Sequence, residues 1–129
     1  PNTKTVMKGS LNFDFCDMTI YDTYLVVVVK EGIDITPNHN SLLLEITNKY
    51  FSKKPFVYIT HRLNSYSVNP KIYYETSKIE NLKGFAVVSS NYKAKENAQI
   101  EKLFFNKPFE IFTSLADAIS WTDKLLSDH

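Results

Sequence analysis

The sequence predicts a mixed α/β domain, a five-stranded sheet with four helices, and three observations carry that reading. Short runs rich in β-branched and aromatic residues alternate with stretches whose apolar residues recur at three- and four-residue spacing. The first two of those runs are separated only by Tyr21-Asp22-Thr23, too little chain for a crossover, so they form an antiparallel hairpin. Twice, at Thr36-Pro37 and Asn69-Pro70, a capping residue precedes a proline at the entry to a helical pattern.

The elements follow in order. Leu11, Phe13 and Phe15 alternate with polar neighbours, and the phase then slips to Met18 and Ile20, which reads as one strand with a bulge near Cys16 and Asp17. Tyr24 to Val29 is the longest uninterrupted apolar run, suited to a central strand. Glu31-Gly32 ends it, and Leu42, Leu43, Ile46, Tyr50 and Phe51 then mark a helix from Thr36 to about Ser52. Residues 56–61 make the third strand. Beyond the polar stretch 62–68, Ile72, Tyr73, Thr76, Ile79 and Leu82 predict a second helix. Residues 84–89 read as strand four, 95–105 as a third helix, and 109–112 as strand five. Ser114 caps a terminal amphipathic helix, with Asp117 in the place of the usual capping-box glutamate, whose last residues are expected to fray. Added in sequence order, the later strands are parallel and the crossover helices share one face. The other face is then expected to carry Tyr58, Thr60, Ala86, Val88, Glu110 and Phe112 as a partly exposed set.

At 129 residues the chain has the size of one domain, assigned to 11–129, with 1–10 as a flexible lead-in. Fifteen basic against fourteen acidic residues give a net charge of +1, and the only arginine is Arg62, so a nucleic-acid partner is not expected. The single cysteine, Cys16, allows no intramolecular disulfide and no multi-cysteine metal site. With no apolar leader and no membrane-length run, the expectation is a cytoplasmic protein without an integral membrane segment.

The element order and the C-terminal segment, Phe109-Glu110-Ile111-Phe112-Thr113-Ser114-Leu115-Ala116-Asp117-Ala118-Ile119-Ser120-Trp121, resemble the STAS fold of anti-sigma-factor antagonists, and more closely its SpoIIAA-like, bacterial-type branch. In the antagonists a loop after the third strand holds an Asp-Ser-Ser/Thr-Gly turn; Asn64-Ser65-Tyr66-Ser67 takes that place here. The resemblance implies a regulatory, protein-binding domain and makes Ser65 and Ser67 candidates for phosphorylation. Asn64 in place of the aspartate, and the missing glycine, depart from the pattern.

Ligands of such sheets lie beyond the carboxyl ends of the parallel strands. The candidates there are His61, Arg62, Ser65, Tyr66 and Ser67 after strand three, and Ser89 and Tyr92 after strand four. His61 and Arg62 form the sharpest pair, one a proton carrier and the other an anion clamp. No glycine-flanked serine elbow accompanies them, so no catalytic constellation is complete and the domain is read as non-enzymatic. His39 and His61 lack zinc spacing, His129 lies at the chain end, and Gly9, Gly32 and Gly84 are isolated, so neither metal nor cofactor is expected. Most of the aromatic excess is core, leaving Tyr66, Tyr92 and Tyr73 or Tyr74 as half-exposed recognition residues. The leading function is a protein-interaction module using residues 62–68 and the start of the second helix, homodimerisation included among its modes. The alternatives are a carrier or sensor of a small apolar, lipid-like ligand between helices and sheet, and a small hydrolase using His61.

Overall fold

A computed structural model describes residues 7–127 of the chain. Six strands form the main sheet in the order β1-β2-β3-β5-β7-β8, and a separate two-stranded ladder joins β4 to β6. The strands are β1 (Gly9–Asn12), β2 (Cys16–Ile20), β3 (Tyr24–Val29), β4 (Asp34–Ile35), β5 (Phe56–His61), β6 (Ser67–Val68), β7 (Leu82–Val88) and β8 (Phe109–Phe112). The helices are α1 (Pro37–Tyr50), α2 (Ile72–Thr76), α3 (Tyr92–Lys102) and α4 (Leu115–Ser127). β1, β2 and β3 are antiparallel neighbours, and β3, β5, β7 and β8 run parallel. Among the described residues no helix is long and apolar enough to cross a membrane.

The slip of phase near Cys16 is a chain reversal rather than a bulge. Leu11 pairs with Met18 and Asn12 with Asp17, and the Phe13 N–H donates to the Cys16 carbonyl at 2.8 Å, closing a tight hairpin. The expected single strand is therefore two, which accounts for the sixth strand. Gly9 and Ser10, assigned to a flexible lead-in, belong to β1 and pair with Ile20 and Thr19. Residues 1–6 and the last two, where fraying was expected and His129 lies, fall outside the described residues.

Strand alternation divides the core. Met18, Leu25, Val27, Tyr58, Phe85, Val87 and Phe109 face one side, where α1, α2 and α3 supply Leu43, Ile72, Tyr73 and Ala98. Tyr24, Val26, Val57, Ile59, Ala86 and Val88 face the other, beneath Leu115, Ala118, Ile119, Trp121 and Leu125 of α4. The expected second-face set was drawn from both sides. Tyr58 pairs with Phe85 and Thr60 with Val87 on the three-helix face, whereas Ala86 and Val88 are fully buried under α4.

The second and third helices differ in extent from the sequence reading, the third ending at Lys102 rather than Phe105. The second helix stops at Thr76 because Leu82 is drawn into β7 opposite Phe56. The third begins at Tyr92, since Asn91 Oδ1 accepts from the Ala94 N–H at 2.9 Å and supplies the cap. Ser114 caps α4 as expected, accepting from the Asp117 N–H at 3.2 Å.

Candidate functional site

The C-terminal edge of β5 continues into residues 62–68, which are stitched to residues 29–34. Asn64 Nδ2 donates to the Val29 carbonyl at 2.9 Å, the Gly32 N–H to the Ser65 carbonyl at 2.7 Å, and the Ser67 N–H to the Ile33 carbonyl at 2.9 Å. Ser65 N–H reaches Glu31 Oε1 at 2.9 Å, and Ser67 Oγ donates to Asp34 Oδ1 at 2.8 Å. The ladder of β4 and β6 is the ordered end of this stitching, with Asp34 opposite Ser67 and Ile35 opposite Val68.

Beneath this segment lies a polar network inside the core. Arg62 Nη1 donates to Glu101 Oε2 at 3.0 Å and its Nη2 to Oε1, so the guanidinium grips the carboxylate with two bonds. Tyr73 Oη donates to the same Oε1 at 2.6 Å. Arg62 Nε donates at 3.1 Å to the Tyr66 hydroxyl, which lies 2.8 Å from Thr60 Oγ. Burial works to lower the Arg62 pKa, but the Tyr66 oxygen and the Glu101 carboxylate outweigh it and hold the guanidinium charged. Burial likewise raises the phenols of Tyr66 and Tyr73, keeping both protonated and able to donate.

Tyr66, expected to be half-exposed, is half-buried and turns its hydroxyl inward beneath Arg62, with the guanidinium carbon 5.3 Å from its ring centre. Tyr73 is 2% exposed, in edge contact with Phe85, Phe105 and Phe109. Tyr74 and Tyr92 are exposed, as is Leu63 beside Arg62.

Two cavities flank the network. One, of about 40 Å³, lies between α1, α2 and the sheet and is lined by Val29, Ile35, Leu43, Tyr58, Val68 and Phe85, among others. The other is a polar cleft of about 290 Å³ between residues 62–66 and the start of α3.

No protein-family model and no curated protein matches the chain. Among solved structures, an uncharacterised protein of the DUF3478 family from Shewanella loihica PV-4, described as having a SpoIIAA-like fold, aligns with a TM-score of 0.55 at 13% identity. The alignment covers 91% of this chain and 92% of that one. The fold is SpoIIAA-like.

Within the SpoIIAA-like fold the remaining candidates separate. His61 and Arg62 are adjacent in sequence but turn to opposite sides of the sheet, because His61 pairs with Val88 on the α4 face. Burial lowers the His61 pKa. Ser89 is buried, its Oγ accepting from the Asn91 N–H at 3.0 Å, and Ser67 is bonded to Asp34. Among the described residues no hydrogen bond joins His61 to a serine hydroxyl, and no three His, Cys, Asp or Glu side chains gather as a metal site. Ser65 and Ser67 are both exposed. The residue that sequence reasoning missed is Glu101. Its only signal is its position three residues beyond Ala98 and four before Phe105, on the apolar stripe of α3 and its C-terminal turn, where a carboxylate needs a buried cation.

Proposed function

We propose that the domain is a non-catalytic regulatory module that binds a protein partner through residues 62–68 and the start of α2. The observation that carries this is the bracing of the segment by the Arg62–Glu101 pair and the bonds to residues 29–34, which presents Leu63 66% exposed on a held backbone. Pre-ordering a contact loop removes part of the entropy cost of association. Tyr92, 76% exposed at the start of α3, and Tyr74, 56% exposed on α2, are aromatic side chains open to a partner. The test is recovery of partner from an extract of the source cells, comparing the wild-type chain with Leu63→Asp and with Lys53→Asp at the opposite end of the strands. A discrete partner retained by Lys53→Asp and lost by Leu63→Asp is expected; equal retention by both overturns the assignment of the surface.

Ser65 and Ser67 supply the regulatory part of this reading. A phosphate carries a charge of about −1.5 to −2 and only acceptors on its outer oxygens. On Ser67 it would replace the donor that now meets Asp34, and on Ser65 it would stand beside Glu31, so either modification loosens the ladder of β4 and β6. Intact-mass measurement of the protein from its own cells checks this, and absence of the phosphate adduct under every growth state overturns it.

The cavity between helices and sheet favours a second reading, a carrier or sensor of a small apolar molecule. At about 40 Å³ it holds no more than a few water-sized volumes, so a ligand would require the strap of β4 and β6 to move. Native mass spectrometry of freshly purified protein should then show a bound apolar compound, and a ligand-free spectrum rejects it.

A further inference from the structure

The polar cleft carries a charge pattern that the chain as a whole does not. Its lining includes Arg62 and Lys93 and no carboxylate, in a protein whose acidic and basic residues nearly balance. Arg62 is neutralised from behind by Glu101, so the excess charge comes from the exposed Lys93 and from the first turn of α3, where aligned peptide dipoles place partial positive charge. Asparagines complete the site. Asn64 uses its Nδ2 on Val29 and keeps its Oδ1, Asn91 uses its Oδ1 on Ala94 and keeps its Nδ2, and Asn97 lies exposed one turn further along α3. The lining therefore offers one cationic anchor flanked by both hydrogen-bond donors and acceptors. At about 290 Å³ the space suits a small metabolite rather than a lipid chain or a peptide side. It lies beyond the carboxyl ends of β5 and β7, where parallel sheets present their ligand-binding edge.

We propose that this cleft binds a small hydroxyl-bearing anion, with its phosphate or carboxylate at Lys93 and its hydroxyls on Asn64, Asn91 and Asn97. The cleft shares residues 62–66 with the proposed docking surface, whereas Lys93 and Asn97 lie on α3 outside the 62–68 brace, so loss of anion binding in Lys93→Ala and loss of a protein partner in Leu63→Asp are separate outcomes. The experiment is a titration of the isotope-labelled full chain, followed by amide chemical shifts, with glycerol 3-phosphate, glycerate and uncharged glycerol in parallel. Saturable shifts at Asn64, Ser65, Lys93, Ala94 and Asn97 are expected with one or both anions, and none with glycerol. Which anion binds separates a phosphate from a carboxylate ligand. Lys93→Ala should weaken the interaction about tenfold, a loss of about 1.4 kcal/mol, and Asn97→Ala should weaken it less, with both variants keeping the wild-type spectrum elsewhere. No saturable shift with either anion, equal shifts with glycerol, or unchanged binding by Lys93→Ala overturns the proposal.

Discussion

Arg62 and Glu101, 39 residues apart in the chain, face each other as a doubly hydrogen-bonded ion pair with each side chain only 6% exposed. The pair ties the end of β5 to α3, and Tyr73 and Tyr66 extend it to α2 and back to Thr60. Removing one member leaves the other charged in the core. Glu101→Gln should therefore cost about 3–5 kcal/mol in urea unfolding, whereas the joint change Arg62→Met with Glu101→Leu should cost less than Glu101→Gln alone. A Glu101→Gln protein as stable as wild type would show that the pair carries no such role.

Gly84 sets how closely α4 approaches the sheet. A Cβ there would stand 2.7 Å from Leu125 Cδ2 and 2.9 Å from Trp121 Cη2. Gly84→Ala should destabilise by about 1–3 kcal/mol through overpacking and change the near-ultraviolet circular dichroism of Trp121. Leu125→Ala in the same chain should restore part of the loss. Equal stability of Gly84→Ala and wild type would mean that α4 moves aside freely.

Cys16 is fully buried in β2, and burial pushes its thiol up to about 11. Little thiolate exists near neutral pH, so a thiolate-selective reagent should label the native protein only as fast as the chain opens, and label the urea-unfolded protein at once. Rapid stoichiometric labelling of the native state would contradict the placement of Cys16.

His61 is less basic in the folded protein than its ordinary 6.5, because burial disfavours the imidazolium. Between 6.5 and that lower value the unfolded chain binds more protons than the folded one. The His61 contribution to stability is thus complete above the unfolded pKa and is lost as the pH falls through the folded pKa. Urea midpoints measured at about pH 7.5 and about pH 5 should fall more for wild type than for His61→Gln. Equal falls would remove His61 as the source.

Much of this architecture was legible because local pattern and fold agree. The run at Tyr24–Val29, the Thr36-Pro37 entry to α1 and the Ser114 cap each act over a few residues, and each is found where the sequence puts it. Legibility failed where the deciding contact is distant. Ile79 and Leu82 continue the helical spacing of α2, yet Leu82 is claimed by pairing with Phe56. The Phe13–Phe15 stretch alternates as a strand should, but its polar groups close a hairpin with Phe15 buried at the tip. In the candidate site, residues 62–68 were identifiable as the polar edge of a parallel sheet. The inward turn of Tyr66 was not, since it depends on Arg62, and the position of Arg62 depends on Glu101 in another helix.

The claim that this pair converts residues 62–68 into one fixed surface is tested most directly by amide hydrogen exchange. In the wild-type chain the Gly32, Ser65 and Ser67 amides, bonded to the Ser65 carbonyl, Glu31 and the Ile33 carbonyl, should exchange well below the rate of free backbone. In Glu101→Gln their protection should fall by more than that of the Val27 and Ile59 amides in the sheet. Free-backbone exchange of these three amides in wild type, or a loss in Glu101→Gln no greater than that of the sheet, would contradict the account.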